Sequence, residues 1–144
     1  MRISVVLNGL LCLLSLQAAA ADAVGNIKTF RPEAVVTHEG VERQMEIGAK
    51  IYSGDSILTG SEGSVGIVFI DGSVLSLGAN TEFVIEEFLF EPDVANVSLL
   101  SRILRGTVSF ISGAIGRISP QSVKFETPNA TLGFRGTKVL IKVD

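Results

Sequence analysis

Two hydrophobic patterns divide this chain. Over the first 21 residues the apolar positions crowd together, whereas from Gly25 onward short apolar or alternating runs are cut by turn residues at spacings of roughly 8–12 residues. The second pattern predicts strands joined by tight turns. Glu33 to His38 and Val41 to Glu46 flank Glu39-Gly40 and read as a hairpin, and Gly54-Asp55 punctuates a further pair, Ala49–Tyr52 and Ser56–Thr59. Ser64 to Ile70 meets Asp71-Gly72, read as a two-residue turn with glycine at a position that tolerates positive φ, and returns as Ser73–Leu77.

Thr81 to Phe90 is rich in aromatic and β-branched residues and stops at Glu91-Pro92-Asp93, which predicts a strand with a defined end. Val94 to Leu104 is ambiguous, because Val97, Leu100 and Leu104 fit a helical face while Leu99-Leu100 breaks strict alternation. Its neighbours favour a strand. Thr107–Ser112, Ser122–Thr127, Thr131–Phe134 and Thr137–Val143 complete the set, and in the last of these Val139, Ile141 and Val143 alternate with Lys138, Leu140 and Lys142, so that one face turns inward. Gly63, Gly72, Gly106 and Gly136 each launch a strand at irregular intervals. Strands restarted from glycine corners suggest an all-β, coiled β-solenoid-like single domain, with a two-sheet β-sandwich as the alternative.

The N-terminal run has one early cation, Arg2, then an apolar stretch from Ile3 to Leu16, then Ala18-Ala19-Ala20-Ala21 before Asp22. That is the layout of a secretory signal peptide occupying residues 1–21, and it is too short and too interrupted to span a bilayer comfortably. Cys12 lies inside the apolar run, so it does not mark a lipoprotein. Cleavage after Ala21 would leave a domain at 22–144 with no cysteine. Disulfides, thiolate nucleophiles and sulfur metal ligands are then excluded, and stability has to come from the packed core.

Of the 144 residues 47% are hydrophobic and 19% charged, with a net charge of −3. One compact domain fits, and nucleic acid is a poor partner for a chain with no basic field. Candidate chemistry is sparse. His38 is the only histidine and is expected to sit exposed on a strand, without the partners a zinc site requires. Asp55 and Asp71 each adjoin a turn glycine, where an aspartate bonds to local backbone, so they are assigned to turns instead of an acid–base pair. The adjacent Glu86 and Glu87 should face opposite sides of a strand. No Gly-x-Ser-x-Gly elbow or phosphate loop occurs. No catalytic residue, metal site or cofactor is expected.

The densest local signal runs from Thr127-Pro128 to Arg135-Gly136-Thr137. Pro128 keeps Thr127 extended, and the glycines allow sharp turns about Phe134 and Arg135. The guanidinium of Arg135 suits either of two tasks, binding carbonyls at a corner of the domain or holding a partner's carboxylate or polar sugar.

Gly54-Asp55 with Ile57 and Thr59, Val65 to Phe69 with Asp71-Gly72-Ser73 and Leu75, and Thr127-Pro128 with Arg135-Gly136-Thr137 together resemble the FecR family domain over residues 48–143. The resemblance implies a bacterial envelope protein with an all-β periplasmic domain. The family's best-known members span the membrane, hear an outer-membrane iron-siderophore transporter and control a cytoplasmic sigma factor. This chain is expected to lack the cytoplasmic segment, the retained membrane helix and any further domain, so direct sigma-factor regulation is not carried over.

A non-enzymatic sensing or scaffolding module, periplasmic or secreted, is therefore expected. It would bind an envelope protein through the Arg135 corner or the edge of the last strand, with Arg135, Thr137, Lys138 and Lys142 as binding residues. The alternative, an envelope polymer such as peptidoglycan or another glycan, is weakened by the absence of tryptophan and the single tyrosine, Tyr52.

Overall fold

The alternating segments do form strands. A computed structural model describes residues 21–144, so the expected leader lies outside the described residues except for Ala21. The strands are β1 (Gly25–Arg31), β2 (Ala34–His38), β3 (Val41–Gln44), β4 (Lys50–Ile51), β5 (Ser56–Thr59), β6 (Ser64–Phe69), β7 (Val74–Leu77), β8 (Glu82–Glu91), β9 (Asn96–Ile111), β10 (Val123–Glu126), β11 (Thr131–Gly133) and β12 (Lys138–Val143). One short α-helix, α1 (Ala114–Ile118), and two single 3-10 turns, Pro92–Val94 and Pro120–Ser122, interrupt them. Among the described residues no helix is long and apolar enough to cross a membrane.

Turn chemistry sets the local registers. Glu39 and Gly40 both have positive φ, 48° and 79°, which gives the β2–β3 hairpin the twist that suits right-handed strands. The β6–β7 turn differs from expectation. Phe69 and Ser73 still pair, through Phe69 N–H donating to the Ser73 carbonyl at 2.9 Å, so the loop is three residues, Ile70–Gly72, and not two. Gly72 takes the left-handed position at φ 84°.

The segments expected separately at 94–104 and 107–112 are one strand, the 16-residue β9. Val97, Leu99, Ser101 and Ile103 are buried at every second position, a period of two that excludes the helical alternative. Gly106, with φ 100°, bends the strand where a Cβ would collide with Thr81. Before the bend β9 pairs β8 and, in parallel, β10; after it, β9 pairs β7 and β12. The result is one sheet, antiparallel except for the β9–β10 pair, curled about β9, with a first wing ordered β4-β1-β6-β7-β9-β12 and a second ordered β3-β2-β5-β8-β9-β10-β11.

The all-β class is as expected, and the coiling takes the form of this curl. The inner faces of the wings meet across a single core, as in the sandwich alternative, while staying joined through β9. Phe69 of the first wing stacks on Phe88 of the second at 5.1 Å, and Phe110 meets Phe125 edge-on at 5.1 Å. Burying each such side chain contributes on the order of 1.5–3 kcal/mol. β8 keeps Phe83, Ile85 and Phe88 inward by bulging at Glu86, between the pairs Ile85–Ser101 and Glu87–Leu100. The bulge corrects the expected alternation, because neither Glu86 nor Glu87 points into the core, and Glu86 bonds Arg102 at 2.8 Å.

Candidate functional site

The glycine–aspartate corners act as internal locks. Asp55 is fully buried. Its carboxylate accepts Tyr52 N–H at 2.9 Å, Arg43 Nη2 at 2.7 Å and a bond with His38 Nδ1 at 2.6 Å. The turn role expected of Asp55 is present, through Tyr52, but the same carboxylate also ties the β2–β3 hairpin to the corner ahead of β5. His38 is accordingly half-buried and partnered, not exposed, because its imidazole reaches a carboxylate seventeen residues away in sequence. A carboxylate on Nδ1 also orients catalytic imidazoles. The groove of about 480 Å3 beside it is lined, among the described residues, by Ala21, Glu39, Val41, Arg43 and Tyr52, none of them a serine, threonine or cysteine.

Asp71 and Ser73 lock the opposite end. Ser73 N–H and Oγ–H donate to Asp71 at 2.9 and 2.7 Å, while Asp71 accepts Ile115 N–H at 3.2 Å and Ser73 Oγ accepts Gly113 N–H at 3.0 Å. The unforeseen α1 is therefore anchored by the loop 40 residues before it. Sequence periodicity could not reveal it, since five residues form little more than one helical turn. Ala114 N–H adds a bond to the Asp71 carbonyl at 2.9 Å.

These locks leave the C-terminal strands as the open part of the molecule. Thr127 and Pro128 form the β10–β11 turn, where Thr127 Oγ1 accepts Ala130 N–H at 3.1 Å. Phe134 then packs edge-on against Phe110 at 6.2 Å. Arg135 stands exposed beside a groove of about 220 Å3 formed with Pro120, Gln121, Gly133 and Phe134. Among the described residues its guanidinium has no hydrogen bond or ion pair, so of the two tasks open to it the binding of corner carbonyls is not the one seen. Gly136, at φ 153°, turns the chain into β12.

β12 pairs only β9, which makes it an edge among the described residues. Ser112 N–H donates to the Thr137 carbonyl at 2.8 Å, which identifies Thr137–Ser112 as a hydrogen-bonded pair in the β9 register. By alternation Val139, Ile141 and Val143 exchange bonds with β9, and the backbone groups of Lys138, Leu140 and Lys142 point to the free edge. The side chains of those three residues are exposed on the outer face, Leu140 by 68%. Ile141 is buried and Val139 and Val143 are partly buried, as the alternation predicts.

Charge is divided along the same line, a feature that whole-chain composition conceals. Residues 22–111 hold six Lys and Arg against thirteen Asp and Glu, a balance of −7. Residues 112–144 hold Arg117, Lys124, Arg135, Lys138 and Lys142 against Glu126 and Asp144, a balance of +3. Reading the charge in segments would have exposed this. Among the described residues no group of three or more His, Cys, Asp or Glu is placed to hold a metal ion.

Comparison with known proteins gives one result. The model of a family described as FecR protein matches residues 55–144, more than half of the chain and including both the Asp71 lock and β12. No curated protein and no solved structure matches.

Proposed function

The chain belongs to the FecR family, a signalling and sensing family, and from that premise we propose that it is a non-enzymatic sensing or scaffolding module of the bacterial periplasm. It acts by docking an envelope protein along β12 and the adjoining Arg135 corner. The observation that carries this reading is the free edge itself: six residues of β12 have a strand on one side only. Such an edge offers main-chain donors and acceptors to an extended segment of another protein. The glycan alternative has less support, because the ring of Tyr52 is already covered by the Arg43 guanidinium, 5.6 Å from its centroid.

Photocrosslinking in living cells tests the proposal. A crosslinker at Leu140 should give a discrete protein adduct from the periplasm, whereas one at Val94, equally exposed but on a remote turn, should not. Equal labelling from both positions, or fractionation of the protein with the cytoplasm, would overturn it.

A further inference from the structure

We infer that the segment received by β12 is acidic at alternate positions, with an apolar side chain between two carboxylates. This rests on the docking reading above and specifies its partner. The free backbone groups belong to Lys138, Leu140 and Lys142, and residues directly opposite one another in a ladder have side chains on the same face. An added strand thus places three of its side chains against lysine, leucine and lysine on the outer face. Carboxylates opposite Lys138 and Lys142 and an apolar group opposite Leu140 complement that face. The two intervening residues lie opposite Val139 and Ile141, and as apolar groups they would complete the partial burial of Val139 and extend the cover of Ile141.

Charge supports the same occupant. In the acidic body of the molecule, Arg43, Arg102 and Arg105 have carboxylate partners within 4 Å, while Lys28, Arg31 and Lys50 have none among the described residues but sit in a segment of balance −7. Among the described residues Arg117, Lys124, Arg135 and Lys138 have none, and Lys142 has only the exposed Asp144 at 3.7 Å. The basic end thus keeps its balance of +3 with little local pairing among the described residues, an arrangement that steers and orients an acidic partner. A second copy is disfavoured in the centred antiparallel register, which would set Lys138 opposite Lys142 twice. Because lysines flank Leu140 symmetrically, the acidic segment satisfies the edge in either direction.

The test uses three labelled synthetic peptides, Ser-Glu-Val-Leu-Val-Glu-Ser and its counterparts with both glutamates replaced by serine or by lysine. Binding to the protein is read by fluorescence polarisation. Two opposite-charge pairs at an exposed edge should favour the glutamate peptide over the serine peptide by roughly 2- to 30-fold, with the lysine peptide weaker still. K138E/K142E should invert that order. Leu140→Pro should abolish binding with the circular dichroism spectrum unchanged, since its amide faces away from β9 and no ladder bond is lost. Raising the salt concentration should narrow the preference.

If all three peptides bind equally and all are lost in Leu140→Pro, edge docking stands and the acidic pattern is wrong. If no peptide binds, or Leu140→Pro changes nothing, the docking reading fails along with it. Concentration-dependent assembly of the protein, abolished by Leu140→Pro, would make the occupant another copy of this chain and would also overturn the inference.

Discussion

Asp55→Asn isolates the lock on which the first hairpin depends. The substitution keeps the shape of the side chain but removes its charge and replaces one acceptor oxygen with a donor. Both oxygens are engaged, Oδ1 with His38 and Oδ2 with Arg43 and Tyr52. An amide keeps only one acceptor oxygen, so either Arg43 and Tyr52 face a donor or His38 has to take the tautomer in which Nδ1 accepts, and in both cases the charge that held Arg43 is gone. A hydrogen bond to a charged group contributes about 1.5–3 kcal/mol, and removing one partner of a buried ion pair costs about 3–5 kcal/mol. Arg43 is 36% exposed, so water recovers part of that loss, which leaves about 3 kcal/mol. For a domain of this size that corresponds to a fall in Tm of about 10–15 °C. Thermal unfolding can be followed by circular dichroism and by tyrosine fluorescence, because the chain has one tyrosine, Tyr52, and no tryptophan. Combining Asp55→Asn with Arg43→Met should recover a coupling of about 1.5 kcal/mol or more. A loss below about 1 kcal/mol, or strictly additive single effects, would refute the reasoning.

Two further substitutions test the bend and the second lock. Gly106→Ala combines an unfavourable positive φ with a collision against Thr81 and should cost about 2–4 kcal/mol, read from urea unfolding; a loss near that of an ordinary surface change would show that β9 does not need glycine there. Ser73→Ala removes the acceptor for Gly113 N–H and a donor to Asp71 and should cost about 1–3 kcal/mol. Its Gly113 amide should exchange with solvent faster than in the parent, and an unchanged rate would mean that α1 is held by something else.

How much of this was legible in the sequence follows from the range of the forces involved. Strands read well where burial alternates, as in Val139, Ile141 and Val143, because the period of two is local. The Glu39-Gly40 turn read well because its geometry is fixed by adjacent residues. β9 did not, since the bend at Gly106 depends on Thr81, 25 positions away, whose Oγ1 accepts Thr107 N–H at 3.1 Å. Without that partner a glycine between two apolar runs looks like a break between strands. His38 was misread for the same reason: its environment is decided by Asp55, and nothing within its own hairpin announces the contact.

The candidate edge was legible in its residues but not in its selectivity, and comparison with the other free edges supplies what was missing. Among the described residues β3, β4 and β11 also end the sheet. β4 has two residues and β11 three, too few to align a partner strand over a useful length. β3 has four, and Glu39, Glu42 and Glu46 lie in or beside it, so it would repel the acidic segment proposed for β12. β12 is the longest of the four. Length separates β12 from these three, and charge separates it from the one-sided half of β8, Glu86–Glu91, which is as long but carries Glu86, Glu87 and Glu91. Lysines on an edge are usually a guard against self-pairing, and here they do that in the centred register. Set beside an exposed Arg135 and an acidic remainder, the same lysines would, on the proposed docking, also be a means of choosing a partner. Exchanging Lys138 and Lys142 for glutamate should thus keep the guard, because like charges would still oppose each other between copies, while reversing the choice.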